Sequence, residues 1–198
     1  MLIKSDFEVA QPLDKVWQFF DDIPQVAACL PGAELTDAVT GDGGEEKYLG
    51  RVGIRMGPVK LQFAGTAKIV ERDSAAKRVV VDASGADEKG RGQAAMLVTA
   101  TLASSGRGTK VDVVQDLQLS GAAAQYGRGM ISDVTAVLMR DFAVNLQDRI
   151  NRAERGESPE QLAAAAAEAK GLTVGLRAAM MALRRVFRRF FAPYQAAS

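Results

Sequence analysis

The chain has 198 residues, 47% of them hydrophobic and 25% charged, which is enough for one domain with a real core and an appendage. It contains no histidine, which excludes the commonest general base, Ser-His and Cys-His nucleophile pairs, and histidine-bound metals. The single cysteine, Cys29, can close no intrachain disulfide, and a formal net charge of +1 points to no partner by itself.

Met1 to Ala10 alternates, with Ile3, Phe7 and Val9 on one side and Lys4, Asp6 and Glu8 on the other, which predicts a half-buried strand. Pro12, at a first-turn position, opens a short helix through Val16, Trp17, Phe19 and Phe20. Asp22-Ile-Pro24 opens a second helix, ended by Leu30-Pro31-Gly32. Strands are predicted at about Glu34 to Ala38 and Glu45 to Ile54, joined by the turn-rich run from Thr40 to Gly44. Arg55-Met-Gly-Pro58 connects to a strand from Val59 to Glu71, in which Leu61, Phe63, Gly65, Ala67 and Ile69 share a face. Further strands follow at Arg78 to Ala83, Gln93 to Ala103 and Thr109 to Ser120, the last two joined by a hairpin at Ser104 to Gly108.

Ala122 to Arg155 then reads as one long amphipathic helix. Ile131, Val134, Leu138, Phe142, Leu146 and Ile150 recur at steps of three or four, and Met130, Val137 and Val144 widen that stripe. Asp133, Arg140, Asp141 and Asp148 occupy the opposite side. The order predicts an α+β domain, a mostly antiparallel and strongly curved sheet closing around one long helix. One predicted sheet face is small: Gly65, Ala67, Ala83, Ala94 and Ala100, beside Met96 and Val98. Such a face leaves a hollow, unless helix side chains such as Met130 and Phe142 fill it.

Several of these motifs together resemble a known family. Phe7-Glu-Val, Pro12 with Val16-Trp17, Ile23-Pro24 and Cys29-Leu-Pro-Gly32 are similar to the carbon monoxide dehydrogenase G-subunit (CoxG) family, as are Met56-Gly-Pro58, Phe63-Ala-Gly65 and Gln125-Tyr-Gly-Arg-Gly129. The resemblance spans about Met1 to Arg152. It implies the START-like, polyketide-cyclase-like helix-grip fold, with an apolar cavity between sheet and helix. It also implies a non-catalytic accessory protein that brings a molybdenum-containing carbon monoxide dehydrogenase, or a related hydroxylase, to the membrane and handles a quinone acceptor.

Beyond the domain, residues 156–171 form an alanine-rich linker and 172–198 a basic tail. From Ala169 onward there are six basic residues and no acid, so the rest of the chain holds 19 bases against 24 acids. Leu172, Leu176, Met180, Leu183, Phe187, Phe190 and Phe191 fall on one arc of a helix, and Arg177, Arg184, Arg185, Arg188 and Arg189 on the other. That pattern suits the plane of an anionic membrane surface. It also suits a groove on a partner, or docking on the domain itself; nucleic acid would leave the apolar arc unused. No apolar run reaches the roughly 20 residues that span a bilayer, and no basic, apolar, cleavable leader opens the chain. The expected location is cytoplasmic, peripheral on the inner face of the cell membrane.

Chemistry is scarce. Glu34, Asp116, Arg51 and Tyr126 are the candidates for acid–base work, mostly on strand positions that face water. Gly127-Arg-Gly129 lacks the phosphate-loop spacing, and Cys29 reads as a small buried hydrophobe. With the resemblance, the reading is a carrier of an isoprenoid quinone, menaquinone or ubiquinone. Its ligand is expected among Phe63, Ala67, Met96, Val98, Met130, Val134 and Leu138, with Tyr126 as a hydrogen-bond donor and Gln115 either a second donor or a structural residue. The Arg55–Pro58 turn and the surroundings of Tyr126 are expected to gate it. The alternatives are a recruitment module with a filled core, and a cyclase-type enzyme of the same superfamily.

Overall fold

A computed structural model describes residues 1–40, 46–56 and 59–156. Seven strands, β1 (Leu2–Val9), β2 (Ala33–Thr40), β3 (Glu46–Met56), β4 (Val59–Asp73), β5 (Arg78–Asp87), β6 (Gln93–Ser105) and β7 (Gly108–Leu119), form one antiparallel sheet in the order β1-β7-β6-β5-β4-β3-β2. Helices α1 (Leu13–Phe19) and α2 (Ile23–Cys29) interrupt the chain between β1 and β2, and α3 (Gly127–Glu154) follows β7. The predicted α+β helix-grip architecture is therefore present, with its two sheet edges formed by β1 and β2. From β2 to β7 each strand pairs with the next in the chain, as local turns require, while β1 returns to pair with β7.

The turn at Thr40–Gly44 and the gate at Arg55–Pro58 fall largely, and the linker and basic tail almost wholly, outside the described residues. Pro12 stands one position earlier than predicted, as the N-cap of α1 rather than inside its first turn. Asp22 caps α2, accepting from the Gln25 amide at 3.1 Å.

The larger correction concerns the start of the long helix. Gly121–Tyr126 is a 3₁₀ turn, and the α-helix begins only at Gly127. The Ala122 amide donates to the Arg91 carbonyl at 2.7 Å, which ties this segment to the β5–β6 loop. Gly121 and Gly127, at φ 68° and 70°, bracket it with backbone that no right-handed helix contains.

Met130, Val137 and Val144 do not widen the buried stripe of α3. They are 42%, 51% and 63% exposed, because the sheet covers only the face centred on Ile131, Thr135, Leu146 and Ile150. The C-terminal half of α3 is fastened. Leu146 and Ile150 are buried, Gln147 accepts from the Ala10 amide at 2.5 Å, and the Asn145 amide donates to the Cys29 carbonyl at 2.9 Å.

The apolar interior falls into two clusters. One joins Val9, Val16, Trp17, Phe20, Cys29, Val111, Leu146 and Ile150; the other joins Ile3, Leu61, Phe63, Ala123 and Ile131. Between them the sheet carries small residues. Register aligns Gly50, Gly65 and Gly85 across β3, β4 and β5, and the next inward row is Tyr48, Ala67, Ala83 and Met96. A Cβ at Gly65 would lie 2.0 Å from the Ser84 carbonyl oxygen and 2.5 Å from the Gly85 Cα. The strands approach so closely along this line that only glycine fits.

Candidate ligand cavity

The space between the clusters is a cavity of about 440 Å³, within the range of small-molecule sites. Its floor is the concave sheet face, from Gly50 and Val52 through Gly65, Ala67, Ala83, Gly85 and Ala94 to Leu117 and Leu119. Its roof is α3, through Ile131, Val134, Thr135, Leu138, Met139 and Phe142, and α2 closes one end with Ile23, Val26 and Ala27. Helix side chains do not fill the hollow that the small sheet face leaves.

Of the nine residues predicted to meet a ligand, Phe63, Ala67, Met96, Val98, Gln115, Val134 and Leu138 line this cavity. Met130 and Tyr126 do not. Met130 lies on the side of α3 that the sheet does not cover, and Tyr126 is half-buried against the Leu61–Phe63 cluster. Sequence reasoning missed Tyr48, Val52, Leu117, Leu119 and Thr135 on the lining. Alternation along β7, running Val111, Val113, Gln115, Leu117 and Leu119, carries the signal for the two leucines.

The lining is mostly apolar, with Glu34, Tyr48, Arg51, Thr66, Ser84, Gln115 and Thr135 as its polar members. Thr135 donates to the Ile131 carbonyl at 2.9 Å. Tyr48 donates to Glu46 at 2.5 Å, and that bond, with burial second, pushes its phenol up to about 12. Gln115 is different. It is 5% exposed, faces the cavity, and its carboxamide makes no hydrogen bond among the described residues. Its amide opens onto the cavity, where a ligand carbonyl can accept a hydrogen bond from it.

The four residues considered for catalysis are not all assembled. Glu34 and Arg51 both border the cavity and stand opposite each other on β2 and β3, both exposed, with Arg51 pairing Glu88 at 3.4 Å. Asp116 is exposed beside the N-terminal amine at 3.2 Å, and Tyr126 lies apart from all three in the 3₁₀ turn. Cys29 is buried, donates to the Gln25 carbonyl at 3.3 Å, and desolvation pushes its thiol up to about 12. No metal-binding group of three acids or cysteines occurs among the described residues.

A further constellation lies outside the cavity lining and ties the β5–β6 loop to β4. The Asp87 carboxylate, with its side chain fully buried, accepts from Arg91 Nε at 2.7 Å and Nη2 at 2.8 Å, and from the Gln62 amide at 3.0 Å. Arg91 also donates to the Lys60 carbonyl at 2.8 Å, and its own carbonyl anchors the 3₁₀ turn. The Arg91 guanidinium is the main reason that the Asp87 carboxyl is held well below the usual carboxylate range. A depressed folded-state value stabilises the fold above the unfolded value of about 3.9, and that contribution is lost as the pH falls below it. Asp87→Asn is therefore expected to lower the thermal midpoint at pH 7 and to flatten its decline between about pH 4 and pH 2, measured by circular dichroism.

Among the described residues no helix is long and apolar enough to cross a membrane. The fold resembles a conserved protein from Geobacillus kaustophilus at 18% identity and a TM-score of 0.66, covering 77% of this chain and 97% of that one. It resembles the Zhui aromatase/cyclase from a Streptomyces species at 14% identity and a TM-score of 0.54, covering 77% and 94%. It also resembles norcoclaurine synthase from Thalictrum flavum at 16% identity and a TM-score of 0.53, covering 78% and 96%. At such identities the likeness shows the fold alone. No curated protein matches the sequence. The family described as the G-subunit of carbon monoxide dehydrogenase (CoxG) matches residues 6–151, about three quarters of the chain and nearly all of the sheet and cavity, and the chain belongs to that family.

Proposed function

We propose that the protein is a non-catalytic accessory to a molybdenum-containing carbon monoxide dehydrogenase or a related hydroxylase, and that it carries an isoprenoid quinone in the cavity. The observation that carries the reading is Gln115, whose amide makes no hydrogen bond among the described residues and faces a mostly apolar hollow. A quinone is a flat apolar ring with carbonyl acceptors, and one such donor orients it. Exposing an isoprenoid chain costs about 25 cal/mol per Å² of apolar surface, so a carrier must cover most of it. Family membership supports the accessory role and the partner enzyme. The spacing of arginines and phenylalanines in the sequence of 172–198 supports residence on an anionic membrane at its cytoplasmic face, each arginine adding about 1 kcal/mol at low salt.

Anionic phospholipid vesicles containing menaquinone or ubiquinone test the reading. The full chain is expected to sediment with them, and after release by salt, solvent extraction of the protein is expected to yield quinone. Gln115→Leu is expected to bind quinone about two- to tenfold more weakly, the loss of one hydrogen bond of about 0.5–1.5 kcal/mol. If the released protein carries none, and soluble quinone analogues leave its thermal midpoint unchanged, the carrier reading is wrong and recruitment alone remains.

A further inference from the structure

A second cleft, of about 410 Å³, lies on the outer side of the cavity wall, between Pro31, Gly32, Gly53 and Arg55 on one flank and Asp133 and Val137 of α3 on the other. Its floor is Ile54, Val134 and Leu138, and these three residues also line the inner cavity. The cleft exists because the edge strand stops short. β2 begins at Ala33, opposite Val52, and beyond it only the Gly32 carbonyl pairs, accepting from the Gly53 amide at 2.9 Å. The residues of β3 from Ile54 onward have no strand partner on that side, so the sheet does not reach α3 there. A Cβ on Gly32 would lie 2.5 Å from the Gly53 carbonyl oxygen, which keeps the turn close against β3 and the gap beside it open.

Val137 is 51% exposed and lines the cleft. Apolar side chains therefore continue from the cavity, through Ile54, Val134 and Leu138, to the outside. A cavity of 440 Å³ is near the lower end of the range for drug-sized ligands, about 300–1,000 Å³, and a polyisoprenoid chain is longer than any such ligand.

We infer that this cleft is the port through which an apolar chain passes between the cavity and the surroundings, with Val137 as its outer lip. The chain's identity as a quinone tail rests on the carrier reading; the position of the port does not.

The test uses the full protein with one added cysteine, Val137→Cys or Val144→Cys, labelled with a bulky fluorescein maleimide. Cys29 is buried and its thiol unreactive, so the added cysteine takes the label. Val144 is 63% exposed on the same helix, two turns beyond the cleft, and serves as the control. Two probes are followed by stopped flow: N-phenyl-1-naphthylamine, a small apolar dye, and a long-chain quinone. The label at position 137 is expected to slow uptake of both at least about tenfold, equivalent to about 1.4 kcal/mol of barrier, and the label at position 144 to leave it unchanged. Equal rates for the two labelled proteins overturn the port. So does failure of the unlabelled protein to take up either probe, since nothing then passes. Uptake of the dye but not the quinone, still blocked at position 137, supports the port and ends the quinone reading instead.

Discussion

Gly65→Ala is expected to destabilise the domain by about 3 kcal/mol or more, at the upper end of what overfilling a site costs. A Cβ there meets backbone, the Ser84 carbonyl oxygen at 2.0 Å and the Gly85 Cα at 2.5 Å. A side chain in the way can rotate, but a hydrogen-bonded neighbouring strand cannot move without breaking its ladder. Gly65 pairs with Gly50 on one side and Gly85 on the other, so relief on either side spreads across three strands. Against a total stability of about 5–15 kcal/mol, the loss should lower the thermal midpoint by about 6–12 °C. Gly129→Ala is the internal contrast. No atom lies within 4 Å of its Cβ, and it stands in the first turn of α3 without a positive φ. That change should stabilise the protein by about 0.4–1 kcal/mol. Differential scanning calorimetry of the two variants checks both signs; equal midpoints would show that the sheet is not held so tightly at the glycine line.

Ala83→Phe is expected to abolish ligand uptake while leaving the fold intact. Ala83 faces the cavity between Ala67 and Met96, in the row next to the glycines, where the floor is lowest. A phenyl ring there occupies space that the ligand needs. Displacing about 100 Å² of buried ligand surface costs about 2.5 kcal/mol, nearly a hundredfold in Kd. The apo protein should be unchanged in stability or stabilised by about 0.5–2 kcal/mol, as cavity filling commonly is. Fluorescence titration beside a thermal melt separates the outcomes. Wild-type affinity in a folded Ala83→Phe protein would place the ligand somewhere other than this cavity.

Much of this is legible in the chain itself. Period-two alternation marks the strands, because an antiparallel sheet with one buried face imprints that period on its residues. It even exposes the hollow: Gly65, Ala67, Ala83, Ala94, Met96, Val98 and Ala100 share one predicted face of successive strands, and all seven line the cavity. A strand's face is a local property, decided two residues at a time, so no knowledge of the partner strand is needed.

Other features depend on which distant backbone a residue meets. Tyr126 and Met130 belong to a helical pattern that runs smoothly through Ala122. A bond from the Ala122 amide to the Arg91 carbonyl nevertheless holds Gly121–Tyr126 as a 3₁₀ segment, Met130 lies on the side of α3 that the sheet leaves uncovered, and neither side chain reaches the cavity. Asp87 reads as a charge at the end of a strand, and only the fold brings it Arg91 and the Gln62 amide. Gln115 stands in plain sight among the inward residues of β7, but that its amide has no partner is a fact about everything around it. The port likewise follows from β2 beginning only at Ala33. The elements, their order and the smallness of the cavity face follow from local sterics and periodicity, so the chain alone dictates them. Which polar groups are paired, where the wall is open and which side of α3 meets the sheet are set only in the folded molecule. Those features depend on contacts such as Thr109 with Gln11 and Asn145 with Cys29, 98 and 116 positions apart, which no local pattern encodes.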